Sequence, residues 1–168
     1  MMRDVRSTLK GLLAAVLVAA AGSLTVASTF LKEDVESLGR KAESVVHARV
    51  SGVRSYWNDA HTMIFTDVTL QVKTLLHGRA AHQFVVRVPG GTVDDYTIEM
   101  EGAPEFKTNE EVVAFLAHWD DGVPMVAGYF QGLSHVSRDK IGNAMLRGGV
   151  ADGLPIPELA RHLRLVSR

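Results

Sequence analysis

The chain has 168 residues, of which 46% are apolar, and this length and composition fit one folded domain and exclude a disordered chain. Its net charge of −1 argues against a dedicated nucleic-acid binder, which needs a basic patch to neutralise phosphates. The chain has no cysteine, and this excludes disulfides, thiolate metal sites and cysteine nucleophiles.

Residues 1–28 have the three parts of a secretory signal peptide. Basic residues begin the segment, residues 11–21 form a nearly pure Leu/Ala/Val stretch, and small residues follow at 26–28. We therefore predict cleavage near residue 28 and a secreted or periplasmic location. The alternative is an uncleaved membrane anchor, because no charged residue occurs between Lys10 and Lys32.

The rest of the chain is predicted, in chain order, as a helix, a series of strands and a second helix. Residues 29–43 are charged with sparse apolar positions, which predicts a short helical lead-in that Gly39 interrupts or ends. From Ser44 onward apolar and polar residues alternate, and this period predicts strands. The predicted strands are 44–50, 63–75, 84–88, 92–101, 112–117, 123–130 and, as the last strand, 133–136.

The long alternating segment 63–75 is typical of a strongly twisted antiparallel sheet or barrel. Residues 112–117 are apolar on both faces and are predicted to be the most buried strand. We therefore predict a mainly β fold, a small antiparallel OB-like β-barrel over residues 44–137. A short N-terminal helix precedes it, and residues 138–168 form a glycine-rich, turn-like segment and a C-terminal helix.

A series of landmarks follows in order through residues 44–136. They are VVHARV at 45–50, Trp57, IFT at 64–66, LHG at 76–78, VPGG at 88–91, GAPEF at 102–106 and NEEVVAFL at 109–116. This order resembles a group of uncharacterised exported bacterial β-barrel domains. More distantly, the strand plan resembles the OB-type barrel of netrin-like domains and tissue inhibitors of metalloproteinases. The resemblance implies a fold, but those inhibitors use an N-terminal cysteine, which this chain does not have.

No motif for metal binding or catalysis emerges from the spacing of the polar residues. The seven histidines lack His-x-His and His-Glu-x-x-His spacing, so we predict no metal site, although the fold could unite His47 with His61 or His118. No serine lies in a Gly-x-Ser-x-Gly elbow, so no catalytic residue is predicted. An acidic group could bind a cation, supply a carboxylate pair or only face solvent; its members are Asp94, Asp95, Glu99, Glu101 and Glu105.

Four residues after the first predicted strand form the candidate binding site. Tyr56, Trp57, Asn58 and Asp59 are predicted to form a loop between strands. Aromatic residues on loops at the end of a barrel commonly mark contact surfaces. The alternative is that Trp57 covers the end of the barrel as part of its core.

These observations favour an exported, non-enzymatic binding module that contacts a protein or an envelope component and needs no cofactor. One alternative is a hydrolase or metal-dependent enzyme whose site is assembled only in three dimensions. Another is a protease inhibitor or regulator that acts through the loops of the barrel. A membrane is expected as a partner only if residues 1–28 remain uncleaved.

Overall fold

The computed structural model describes residues 31–166, so the predicted signal peptide lies outside the described residues. The strands are β1 (Ser44–Trp57), β2 (Ile64–Gly78), β3 (Gln83–Pro89), β4 (Gly91–Val93), β5 (Tyr96–Ile98), β6 (Glu111–His118), β7 (Pro124–Val126), β8 (Leu133–Arg138) and β9 (Ala144–Arg147). The helices are α1 (Val35–Lys41), a 3₁₀ helix (Tyr129–Gly132) and α2 (Ile156–Val166). None of the described helices is long and apolar enough to cross a membrane.

One antiparallel sheet contains seven of the strands, in the order β3-β2-β1-β6-β8-β9 with β7 paired to β6. Strands β4 and β5 form a separate hairpin. The predicted mainly β, antiparallel fold with a helix on either side in the sequence is therefore confirmed. Strand pairing among the described residues leaves the sheet open, without closing it into a barrel.

The sheet has an apolar core on each face. The alternation predicted for β2 is confirmed, because Val68 and Leu70 are buried on one face while Gln71 is exposed on the other. The inner core comprises Val46, Ala48, Val50, Val68, Leu70, Val86, Val88, Val112, Ala114, Leu116, Val126 and Leu133. The outer core comprises Leu38, Ala42, Val45, Val113, Phe115, Ala127, Leu146, Ala151, Leu159 and Leu163. Strand β6 supplies both cores, which explains why its sequence is apolar on both faces.

The two helices pack together against the outer face of the sheet. Helix α2 contributes Leu159 and Leu163 to the outer core, beside Leu38 of α1. The prediction that Gly39 interrupts or ends the first helix is wrong, because Gly39 lies inside α1 and is buried. A Cβ at Gly39 would lie 3.0 Å from Cδ2 of Leu163, so the glycine allows the close approach of α2.

Several predicted element boundaries need correction. Tyr56 and Trp57 belong to β1 and not to a loop, because their backbone pairs with β2. The single strand predicted at 92–101 is the short hairpin β4–β5, since Asp94 adopts a left-handed conformation (φ 51°) in its turn. The strand predicted at 123–130 ends at Val126 and is followed by the 3₁₀ helix.

The glycine-rich segment after residue 138 also contains more structure than was predicted. Strand β9 lies within it and pairs with β8, so 133–136 is not the last strand. The turns around this strand need left-handed backbone at Gly142, Gly148 and Gly149. Because these glycines are typical of turns, the sequence predicts a turn-like segment here and not a strand.

Candidate functional site

An open cleft of about 780 Å³ lies beside the inner core, and we refer to it as the cleft. Its floor is apolar and its rim carries charged side chains. The lining residues are Val53, Thr66, Val68, Val88, Pro89, Gly90, Gly91, Thr92, Thr97, Ile98, Glu99, Met100, Glu101, Ala103, Pro104, Glu105, Phe106 and Lys107. They come from β1, β2, β3, the β4–β5 hairpin and the segment that follows it, so the cleft exists only in the folded chain.

A double-glycine turn places the β4–β5 hairpin over one wall of the cleft. Gly90 and Gly91 both have positive φ, of 95° and 135°. A Cβ at Gly90 would lie 2.7 Å from the carbonyl oxygen of Ile98, so only glycine permits this approach. The N–H of Gly90 donates to the carbonyl oxygen of Ile64 at 2.8 Å, and Oγ1 of Thr66 donates to the carbonyl oxygen of Gly90 at 2.7 Å. These bonds fix the turn to β2.

The cleft opens where the chain that enters β6 separates from β1. Val50 is the last β1 residue that is hydrogen-bonded to the chain entering β6. Its N–H donates to the carbonyl oxygen of Glu110 at 2.9 Å, and its carbonyl oxygen accepts from the N–H of Asn109 at 2.8 Å. Beyond it, β1 continues as far as Trp57 and pairs only with β2 among the described residues. Val53 lies on this stretch and lines the cleft. Within residues 31–166, one edge of β1 is therefore unpaired next to the cleft.

The acidic group identified in the sequence is divided by the fold. Asp94 and Asp95 form the turn of the β4–β5 hairpin, whereas Glu99, Glu101 and Glu105 are exposed and line the cleft. Lys107 supplies the only positive charge in that lining. Among the described residues, no three His, Asp or Glu side chains are grouped as a metal would require.

Tyr56 lies in a polar network on the outer face of the sheet. Its hydroxyl donates to Oδ1 of Asp67 at 3.1 Å and accepts from Nε of Arg87 at 3.1 Å. Burial raises the pKa of Tyr56 above its ordinary value, although the hydrogen bond from Arg87 opposes this effect. The Arg87 guanidinium also donates to Oδ2 of Asp121 at 2.7 Å and lies 5.6 Å from the ring centroid of Phe65.

The other three predicted site residues have different surroundings. Trp57 is half-buried, and its ring meets that of Tyr96 edge-on with centroids 5.7 Å apart. Asn58 stabilises the β1–β2 turn, because its Oδ1 accepts from the N–H of Thr62 at 2.8 Å. Asp59 is exposed at the tip of this turn. The structure therefore does not bring the four residues together as one surface, and none of them lines the cleft.

Two of the three histidines considered as a composite metal site, His47 and His118, contact separate glutamates. His47 contacts Glu111 at 3.1 Å, and His118 contacts Glu43 at 2.7 Å. His61 lies instead in the β1–β2 turn, with its ring centroid 5.9 Å from that of Trp57. The fold gives these three histidines different partners.

Glu111 is the centre of the largest cluster of charges that we find in the described chain. Its carboxylate contacts Lys73, His47 and Arg49, the last at 3.8 Å. The hydrogen bond from Lys73 lowers the pKa of Glu111 below its ordinary value of about 4.5, against the opposing effect of burial. These contacts link side chains of β1, β2 and β6, so the cluster helps to hold the three strands together.

Sequence reasoning missed the apolar part of the cleft. Val53 is far along the chain from Met100 and Phe106, and no spacing rule joins it to them. The Pro-Gly-Gly turn was the one local signal, because two adjacent glycines mark a close approach of backbone. A comparison of the chain with protein-family models, with curated proteins and with solved structures found no match, so the functional argument depends on the geometry of the site.

Proposed function

We propose that the protein is an exported binding module whose cleft receives part of a protein or of an envelope component. The observation that carries this proposal is the cleft, which combines an apolar floor with a charged rim, as ligand sites commonly do. Val53 and Met100 in its lining remain 41% and 39% exposed, so apolar surface is open to a partner. The signal-like pattern of residues 1–28 supports export.

We further propose that the curved sheet is a partly open OB-like barrel, as the sequence resemblance implies. Contacts between β3 and the β6–β7 turn support this description. Nε1 of Trp119 donates to the carbonyl oxygen of Arg87 at 3.4 Å, and the Arg87 side chain pairs with Asp121. These side chains span a gap that backbone pairing leaves open. OB-type barrels bind ligands on exposed strands and adjoining loops, and the cleft has such a position.

Photo-crosslinking inside the source cells tests this function. A benzophenone side chain replaces Val53 in one variant and Val85 in the other. Both are valines on strands and are 41% and 40% exposed, but only Val53 lines the cleft. We expect a discrete crosslinked product in the envelope or medium from position 53 and none from position 85. Equal labelling from both positions would show that the cleft is not the binding surface.

A further inference from the structure

We propose that the cleft binds an extended peptide segment in which aliphatic residues alternate with lysine or arginine. The segment adds as a strand to the unpaired edge of β1. This inference rests on the proposed binding function and specifies the chemistry of the ligand. Three properties of the cleft support it: a strand edge, an apolar floor and an acidic rim.

The strand edge provides backbone recognition. The second part of β1 pairs with β2 on one side, through Val53 and Val68 for example, and has no strand partner on the other side among the described residues. An unpaired edge offers N–H and C=O groups to an incoming extended chain. Because Asn109 and Glu110 bond to the same side of β1 at Val50, an added strand would continue the existing ladder.

The floor fits aliphatic side chains. Val68 and Val88 belong to the inner core and also line the cleft, where Met100 and Phe106 add apolar surface. In an added strand, alternate side chains would face this floor and the others would point away from it. Valine or isoleucine at the alternate positions would bury apolar area there.

The rim favours positive charge in the intervening positions. Three glutamates and one lysine line the cleft, so its lining carries a net charge of −2. No three carboxylates of the described residues are grouped as a metal would require, so we assign these three glutamates to separate cations on a peptide. Lysine and arginine have stems long enough to reach the rim while their neighbours enter the cleft. The complementary charges would also speed association.

Two synthetic peptides test the ligand class, one alternating lysine with valine and the other alternating glutamate with valine. Fluorescence anisotropy with the purified protein measures the Kd of each. We expect the lysine peptide to bind at least about tenfold more tightly than the glutamate peptide. Higher salt should reduce this difference, because the rim is exposed. N-methylation of alternate amides should abolish binding in one of the two registers, since an added strand bonds through every second residue.

A triple variant and a matched control separate the rim from general charge effects. Glu99→Gln, Glu101→Gln and Glu105→Gln together should raise the Kd of the lysine peptide about tenfold. The control combines Glu36→Gln, Asp120→Asn and Glu158→Gln, which remove the same charge from residues outside the cleft and should leave the Kd unchanged.

The outcomes distinguish failure of this inference from failure of the proposed function. A preference for the glutamate peptide, no detectable binding of the lysine peptide, or binding that tolerates both N-methylation registers would overturn the peptide class. In those cases a crosslink at position 53 would still support the proposed binding function. If the lysine peptide binds but Val53→Arg leaves its Kd unchanged, the peptide lies elsewhere. That result would overturn the peptide inference alone. The proposed function is tested separately, and it fails if no crosslink forms at position 53.

Discussion

Tyr56 and Trp57 are adjacent in β1, and the alternation of a strand places their side chains on opposite faces of the sheet. The Tyr56 hydroxyl is used both as a donor and as an acceptor within the outer-face network. The Trp57 ring packs against Tyr96 of the β4–β5 hairpin. The sequence predicts a loop at these residues. Side chains in a loop do not alternate between two faces, so that prediction gave no reason to expect separate environments for Tyr56 and Trp57.

A double-mutant cycle on Trp57 and Tyr96 tests whether this pair holds the hairpin. Each residue is changed to alanine alone and together, and urea denaturation gives the free energy of unfolding. We expect a coupling energy of about 0.5–1.5 kcal/mol, because the rings meet edge-on. Trp57→Ala combined with Val85→Ala serves as the control and should be additive. Additivity of Trp57 with Tyr96 would show that the ring contact contributes nothing to stability.

At the scale of elements, local sequence patterns predicted some features and not others. Apolar and polar residues alternate along 63–75, which predicts a strand there, and in the structure this strand runs from Ile64 to Gly78. Helix α2 was recognised because Leu159 and Leu163 share one face, and its apolar stripe is buried. Strand β9 is only four residues long and is bordered by glycine turns, so its pairing with β8 had no local signal.

The close packing of α1 on α2 predicts a large cost for a side chain at position 39. Gly39→Leu should destabilise the protein by about 1–3 kcal/mol, because the new side chain would enter the space that Leu163 occupies. Arg40→Leu is the matched control: it lies next to Gly39 in α1 but is exposed, so its effect should stay within about 0.5 kcal/mol. Chemical denaturation measures both variants. Equal stabilities would mean that the two helices do not pack closely in solution.

At the scale of the whole molecule, the cleft could not be predicted from the sequence. Its walls come from Val53 on β1 and from residues 88–107, which the open sheet and the double-glycine turn bring together. The acidic residues are evident in the sequence, but any solvated face of a strand has a similar pattern. Only the fold shows that Glu99, Glu101 and Glu105 line the cleft while Asp94 and Asp95 form a turn.

The Glu111 cluster joins three strands and should make stability depend on pH in the acid range. The pKa of Glu111 is lowered in the folded protein, so the carboxylate stabilises the fold above its ordinary pKa. This contribution is lost as the pH falls from about 5 through the lowered folded-state pKa. Glu111→Gln should therefore be less stable than the wild type near neutral pH and should lose less stability on acidification.

Urea midpoints across the acid range measure this dependence. Asp120→Asn is the control, because Asp120 is an exposed residue of the β6–β7 turn and should keep the wild-type pH dependence. Parallel acid profiles for wild type and Glu111→Gln would show that the cluster does not contribute through its charge.

The contact between α1 and α2 also affects when the chain can finish folding. Leu38 comes from the first described helix, whereas Leu159 and Leu163 follow all nine strands in the chain. During synthesis, the outer faces of β1 and β6, with Val45 and Phe115, therefore lack the packing of α2 until that helix has left the ribosome. If the chain is exported as we propose, the late packing of α2 would delay complete folding while the chain passes a translocation channel. Folding would then be completed on the far side of the membrane.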